Sequence, residues 1–290
     1  MMDMDVQAVS GAATVAIACT VAFYVIAKTW QMLIYSFPKS QNFADSIMRE
    51  SAERTRRELN HLSRKQLTYL GAGIVFILIF ATAYVLNAEQ LYVDYPQWQL
   101  NMLLMAAALT MMFGMHRTWR TFSEWRQLSF KRDATLSIGH GLQKVAADNG
   151  RVYHDVDTAD STIDHVVVGI KGIYGVHVIA RRPVKGGSVV AQGGKLRFSN
   201  SNDVISVAGM RRANSALSRE LSACTESSIK VRLVIGVPGW DIESQGDGSL
   251  LLVNERNLPM IKGWRDTSEF LLNDVVETIN ATLTSRCSLK

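Results

Sequence analysis

IDHVVVGIKGIYGVHVIARR, residues 163–182, decides the fold of the C-terminal half of this chain. Residues 166–168 and 173–179 are rich in β-branched and aromatic side chains, and Gly169 and Gly172 bound the short turn between them. Branched side chains fit a pleated, half-buried surface, so the pattern predicts two strands joined by a glycine-bounded turn. Upstream, RVYHDV (151–156) predicts another strand, preceded by the turn Asp148-Asn149-Gly150 and a helix over 137–147. Downstream, GGSVVAQGGKLRFSN (186–200) predicts a hairpin about Gly193-Gly194. A helix over 208–223, a buried strand over 231–237 stopped by Pro238-Gly239, the strand SLLLVN (249–254) and a terminal helix over 266–283 complete the series. Helices interleaved with hairpin strands define a mixed-sheet α/β domain, expected over 133–290.

The first 132 residues differ in character. No charged side chain occurs over 6–27, 66–87 or 95–115. Each run approaches the ~20 apolar residues that cross a hydrocarbon core, so three transmembrane helices are expected, over 6–27, 67–87 and 96–115. Asp3 and Asp5 leave no positive region before the first run, which argues against a cleaved signal peptide. The loop 37–66 holds Lys39, Arg49, Arg54, Arg56, Arg57, Arg64 and Lys65, and the third run is followed by Arg117, Arg120, Arg126, Lys131 and Arg132. The positive-inside bias then puts the N-terminus outside and the α/β domain in the cytoplasm, with the lipid bilayer as a partner. The 37–66 loop is expected to be a solvated or headgroup-facing helix. Residues 117–132, with Trp119, Phe122, Trp125, Leu128 and Phe130, are expected to form an interfacial helix.

Cys19, Cys224 and Cys287 show no CxxC or Cys/His spacing, so neither a disulfide framework nor a zinc knuckle is indicated. The α/β half is nearly neutral, but 171–212 is not. It contains Lys171, Arg181, Arg182, Lys185, Lys195, Arg197, Arg211 and Arg212 against Asp203 alone. Such a strip would neutralise phosphates without reading sequence, or face anionic lipid, or protect sheet edges. The Gly-rich loop holding Asp241, Glu243 and Asp247 lacks the spacing of a calcium loop.

Gly139 with its helix, the RVYHDV strand, IDHVVVG, Gly172-Ile173-Tyr174 and VRLVIGVPGWDIE leading into LLVN occur in the order of the nuclease-related domain (NERD), which this half resembles. That family is a branch of the restriction-endonuclease-like fold. The resemblance covers about 133–285 and implies a mixed sheet flanked by helices. It also implies a carboxylate pair that holds a divalent metal, with a lysine to help activate water. Asp164 falls at the family's metal-binding aspartate, but the Glu-x-Lys positions fall on His177-Val178-Ile179, and His140 stands where the preceding helix usually has an acid. A lone aspartate holds a hard cation poorly, and isoleucine cannot replace an ammonium group.

Three functions fit these residues. The first is a non-cleaving nuclease-like domain held at the inner face of a bacterial inner membrane, binding DNA, RNA or a protein there. The second is a structural subunit of a membrane conjugation or secretion assembly, contacting other subunits of that complex. The third is a nuclease with an altered metal set, His140, Asp164 and His177, with Asp164 and His177 as catalytic candidates. No cofactor beyond such a divalent metal is implied.

Overall fold

In the computed structural model the described residues are 28, 48–65, 97–147, 150–199, 202–244, 248–264 and 270–288. The chain divides into two compact units, one of Phe43–Leu59 with Arg126–Lys290 and one of Met1–Asn42 with Asn60–Trp125.

Within the first of these units the hairpin quoted above is the centre of the main sheet. Strands β1 (Gly150–Asp157), β2 (Thr162–Gly169) and β3 (Gly172–Val178) form an antiparallel meander. The pair Gly169↔Gly172 closes the β2–β3 turn, and Gly172 has φ +133°, a conformation a side chain would resist. After β3 the chain leaves the sheet and returns as β7 (Val231–Gly236), parallel to β3. Strand β9 (Leu250–Val253) then adds parallel to β7, giving the order β1-β2-β3-β7-β9. Parallel strands covered on both faces need apolar side chains throughout, and every residue of β7 and β9 is buried.

Helices cover the two faces of this sheet. Helix α1 runs over 53–65 among the described residues, and α2 over Gln97–Ala146. In the C-terminal part of α2, Ala134, Ile138, Leu142 and Ala146 recur every four residues and pack on Val167, Tyr174, Val176, Val234 and Leu251. On the opposite face α3 (Ala208–Thr225) and the terminal helix α5 (Asn273–Cys287) press Ala213, Leu217, Leu221, Ile279 and Leu283 onto Tyr153, Val166, Val168 and Ile173. Burying each large aliphatic side chain stabilises by about 1.5–3 kcal/mol. A single turn of helix, α4 (Met260–Gly263), follows β9.

A second sheet has the order β6-β5-β4-β8, from β4 (Ser188–Gln192), β5 (Lys195–Phe198), β6 (Val204–Ser206) and β8 (Asp241–Ser244). Gly193 and Gly194, with φ +57° and +70°, make the tight β4–β5 turn that the sequence predicts. Its inner residues Val189, Ala191, Leu196 and Phe198 pack with Trp240, Leu233, Ile235 and Leu252. Trp240 is buried, meets Phe198 edge-on at 4.8 Å between ring centres, and donates from Nε1 to the Arg181 carbonyl at 2.9 Å. Strand β8 forms at the start of the Gly-rich loop, and β6 is a further strand that the sequence pattern does not predict.

The N-terminal expectations require correction. No helix among the described residues is long and apolar enough to cross a membrane. Segments 6–27 and 67–87 lie outside those residues. The third expected span, 96–115, belongs instead to the 50-residue helix α2, which also absorbs the separate helices expected at 117–132 and 137–147. Its apolar run is entered through Gln97, Gln99 and Asn101 and left through His116 and Arg117. The uninterrupted part, 102–115, extends only ~21 Å at the helical rise, short of a ~30 Å core. The three-span region, and with it the multi-pass inner-membrane placement with the N-terminus outside, is not supported.

Segment 48–59 also departs from the solvated or headgroup-facing helix expected of it. It packs on the α/β sheet, with Ala52, Thr55 and Leu59 buried. The Arg49 amide donates to the Cys287 carbonyl at 2.9 Å, and Ser51 Oγ to the Thr135 carbonyl at 3.3 Å. The Arg54 amide, in the first turn of α1, donates to Asp155 Oδ2 at 2.9 Å, so a strand carboxylate satisfies a helix N-terminus.

Candidate functional site

The motif positions come together but are engaged in structural bonds. Asp164 on β2 is half-buried, and its Oδ2 accepts from the Val178 amide at 2.7 Å. The β2–β3 ladder ends at His165↔Val176, so the carboxylate satisfies a backbone donor just beyond it. Burial pushes its pKa up, opposed by that hydrogen bond and by the nearby His177. His177 is buried on β3 and turned toward α3, where its Nε2 lies 3.0 Å from Asn214 Oδ1. Asn214 Nδ2 donates to the carbonyls of Gly175 and Arg232, both at 3.2 Å, which fixes Oδ1 as the acceptor and His177 Nε2–H as the donor. Burial lowers the His177 pKa, opposed by the bond to Asn214. Gly175 permits this approach, since a Cβ there would stand 2.5 Å from Asn214 Oδ1.

Ile179, where the resemblance led us to expect the family lysine, is buried among apolar side chains and supplies no cation. His140 lies on the exposed side of α2. Its neighbour is His154, whose pKa is lowered mainly by burial and further by His140. Among the described residues no group of three or more His, Cys, Asp and Glu side chains is placed to hold a metal ion, so His140 is not brought to Asp164 and His177. His154 and His165 are both buried. They form a pair between β1, β2 and α2.

The eight cations of 171–212 are dispersed. Lys171 is exposed at the β2–β3 turn. Arg181 is held against its own domain, its guanidinium 5.0 Å from the Phe198 ring centre and 3.6 Å from Asp203. Arg182 and Lys185 are exposed in the loop after β3. Lys195 and Arg197 project from the outer face of β5, opposite the buried Leu196 and Phe198. Arg211 and Arg212 are exposed in the first turns of α3. Arg219 joins them about two turns further on, exposed and outside the basic window that composition singled out. The only carboxylate of α3, Glu220, is committed to an ion pair with Arg286. Among the described residues, Arg211, Arg212 and Arg219 have no carboxylate partner.

Beside this face is an open cleft of about 370 Å³, lined by Arg211, Ser215, Lys230, Arg232, Ser249 and Trp264 among others. It exists because β9 begins opposite Leu233, leaving the start of β7 without a neighbour on that edge. Arg211 Nη2 donates to Ser249 Oγ at 3.0 Å across it. Arg232 donates to the Trp264 carbonyl at 3.0 Å and lies 5.9 Å from that indole's centre. No carboxylate lines the cleft among the described residues. Lys230, Arg232 and Trp264 were missed because they are isolated in sequence. The ending of β9 opposite Leu233, which brings them together, leaves no local signature.

No family model matches this chain, and neither a curated protein nor a solved structure matches it.

Proposed function

We propose that the α/β domain binds nucleic acid along its phosphate backbone and does not cleave it. The observation that carries this reading is the exposed face of α3, where Arg211, Arg212 and Arg219 stand without a carboxylate partner among the described residues. Lys195 and Arg197 project separately, from the outer face of β5. A cation row of this kind attracts a polyanion at low ionic strength and carries no base-reading geometry. The absence of cleavage is supported by the bonds that engage Asp164 and His177 and by the apolar Ile179. The adjacency of Asp164 and the β3 motif positions fits the likeness to the nuclease-related domain, as a site whose Asp164 and His177 are engaged by the Val178 amide and by Asn214 of α3.

Fluorescence anisotropy of the full chain with labelled single-stranded and duplex oligonucleotides, at 50–300 mM salt, tests the binding. Affinity is expected to fall log-linearly with salt, and the Arg212→Ala/Arg219→Ala variant to reduce the slope by about 2. No binding at the lowest salt would overturn the reading and favour a domain that contacts only protein. Incubation with Mg²⁺, Mn²⁺ or Zn²⁺ tests the second half. Cleavage that Asp164→Ala abolishes would show a nuclease.

A further inference from the structure

The exposed loop between β3 and β4 is pinned at both ends to one buried side chain. Trp240 Nε1 donates to the Arg181 carbonyl at 2.9 Å, and Gly187 lies so close to the same indole that a Cβ there would stand 2.7 Å from its Cζ3. The Asp241 amide, next along the chain from Trp240, donates to the Gly187 carbonyl at 3.1 Å. Between these anchors the Gly187 amide donates to the Val184 carbonyl at 2.8 Å, closing a four-residue turn whose third residue, Gly186, has φ +72°. The Pro183 ring rests on Gly239, where a Cβ would stand 2.9 Å from Pro183 Cγ, and proline's fixed φ stiffens the approach to the turn. At the tip, Pro183 and Val184 are exposed, Val184 by 51%. Arg182 and Lys185 flank them, exposed and without an ion pair among the described residues. Three chain steps set these two cations at most ~11 Å apart. Long side chains on that baseline can reach phosphates on both edges of a minor groove ~6 Å wide. A rigid apolar point between two cations is the chemistry of side chains that part stacked bases. A lipid surface would ask more of it. Burying one valine contributes about 1.5–3 kcal/mol, too little to hold a protein at a bilayer, whereas a single wedge suffices at one base step.

We propose that this turn inserts Pro183-Val184 between stacked bases of a bound duplex, with Arg182 and Lys185 on the phosphates to either side. The inference rests on the nucleic-acid reading above and adds to it a distortion of the duplex that a row of cations alone would not produce.

Duplexes carrying 2-aminopurine, whose fluorescence rises on unstacking, test the proposal with the full chain. The probe base is placed at pyrimidine–purine steps, which open most easily, and saturation is read from the anisotropy of the same duplex. Fluorescence at saturation is expected to rise about twofold over the free duplex, to lose more than about half of that rise in Val184→Ser, and to keep it in Val184→Leu. Saturated binding with unchanged fluorescence would overturn the wedge and leave the backbone-binding reading intact. So would a rise that Val184→Ser leaves unaltered in a protein of the same melting temperature. No binding to duplex at the lowest salt also overturns the wedge, and with no binding to single strands either, the reading it rests on falls as well. Sedimentation with vesicles of anionic phospholipid that depends on Val184, in a protein that leaves 2-aminopurine silent, would overturn the wedge and assign the tip to a lipid surface.

Discussion

His154 Nδ1 and His165 Nδ1 stand 2.8 Å apart in the interior of the α/β domain, and the bonds around them fix which ring carries which proton. His165 Nε2 faces the Thr135 carbonyl at 3.1 Å, so it must be the protonated nitrogen and His165 Nδ1 the acceptor. His154 Nδ1–H therefore donates to it, and His154 Nε2 accepts from Gln143 Nε2 at 3.2 Å. The relay ties β1 and β2 to α2, and it is complete only with both rings neutral.

Acid should dismantle it. Burial, with the neighbouring His140, lowers the His154 pKa to about 4, and burial, with His154 as neighbour, lowers that of His165 to about 3. In the unfolded chain both titrate near ~6.5, so between these values the unfolded state binds more protons. The stabilisation is fully present above ~6.5 and is lost as pH falls toward the folded values, several kcal/mol in all. Urea unfolding at pH 7.5, 6.0, 5.0 and 4.5 is expected to show a falling midpoint, with a shallower trend for His154→Phe/His165→Leu. An identical trend in that variant would mean the pair is not neutral in the folded protein.

Asp155 sits in β1 with φ +51°, unusual for a residue with a side chain, between the paired rows His154↔His165 and Val156↔Ile163. This conformation places its carboxylate at the Arg54 amide, and its backbone carbonyl accepts from Arg49 Nη1 at 2.7 Å. Asp155→Ala should lose about 1–2 kcal/mol, while Asp155→Asn, which tolerates positive φ and keeps an acceptor, should lose less. Limited proteolysis is expected to cut within 48–59 sooner in the alanine variant. Equal protection in all three proteins would show that the carboxylate does not hold this segment.

Gly175 and Asn214 should behave as one unit. A methyl at position 175 would collide with the whole Asn214 amide, 2.5–2.8 Å from its outer atoms, and detach it from His177 and two carbonyls. Gly175→Ala is expected to cost about 2–4 kcal/mol. In an Asn214→Ala background the added cost should shrink to under about 1 kcal/mol, because the obstructing amide is gone. Additive losses in chemical denaturation would contradict the packing described for α3 and β3.

The cysteines should separate by reactivity. Cys224 is exposed, whereas Cys287 is buried and its thiol is pushed up by that burial. Brief alkylation at pH 8 followed by peptide mass mapping is expected to label Cys224 well before Cys287, with Cys287 reacting on unfolding. Equal early labelling would indicate that α5 and segment 48–59 open readily in the native protein.

Much of the α/β domain was legible because its signals are local. Branched runs bounded by glycines gave the β2–β3 hairpin and the β4–β5 turn, helical spacing gave α3, and mainly apolar runs gave β7 and β9. Each depends on residues within a few positions of one another, where backbone preference and side-chain periodicity act. The same locality misled at 96–115. A charge-free stretch resembles a span until the 50-residue helix containing it shows how short its unbroken apolar part is.

The sequence by itself determined the strands β1–β5, β7 and β9 and the helix α3, and that Ile179 cannot provide an ammonium group. Only the tertiary structure decided that 48–59 packs on the sheet, that β8 pairs with β4, and that His154 meets His165. It also showed that Asp164 is engaged by the Val178 amide and that Arg211, Lys230 and Arg232 line one cleft. Those contacts join residues distant in the chain, where position is set by how whole elements bury their apolar faces.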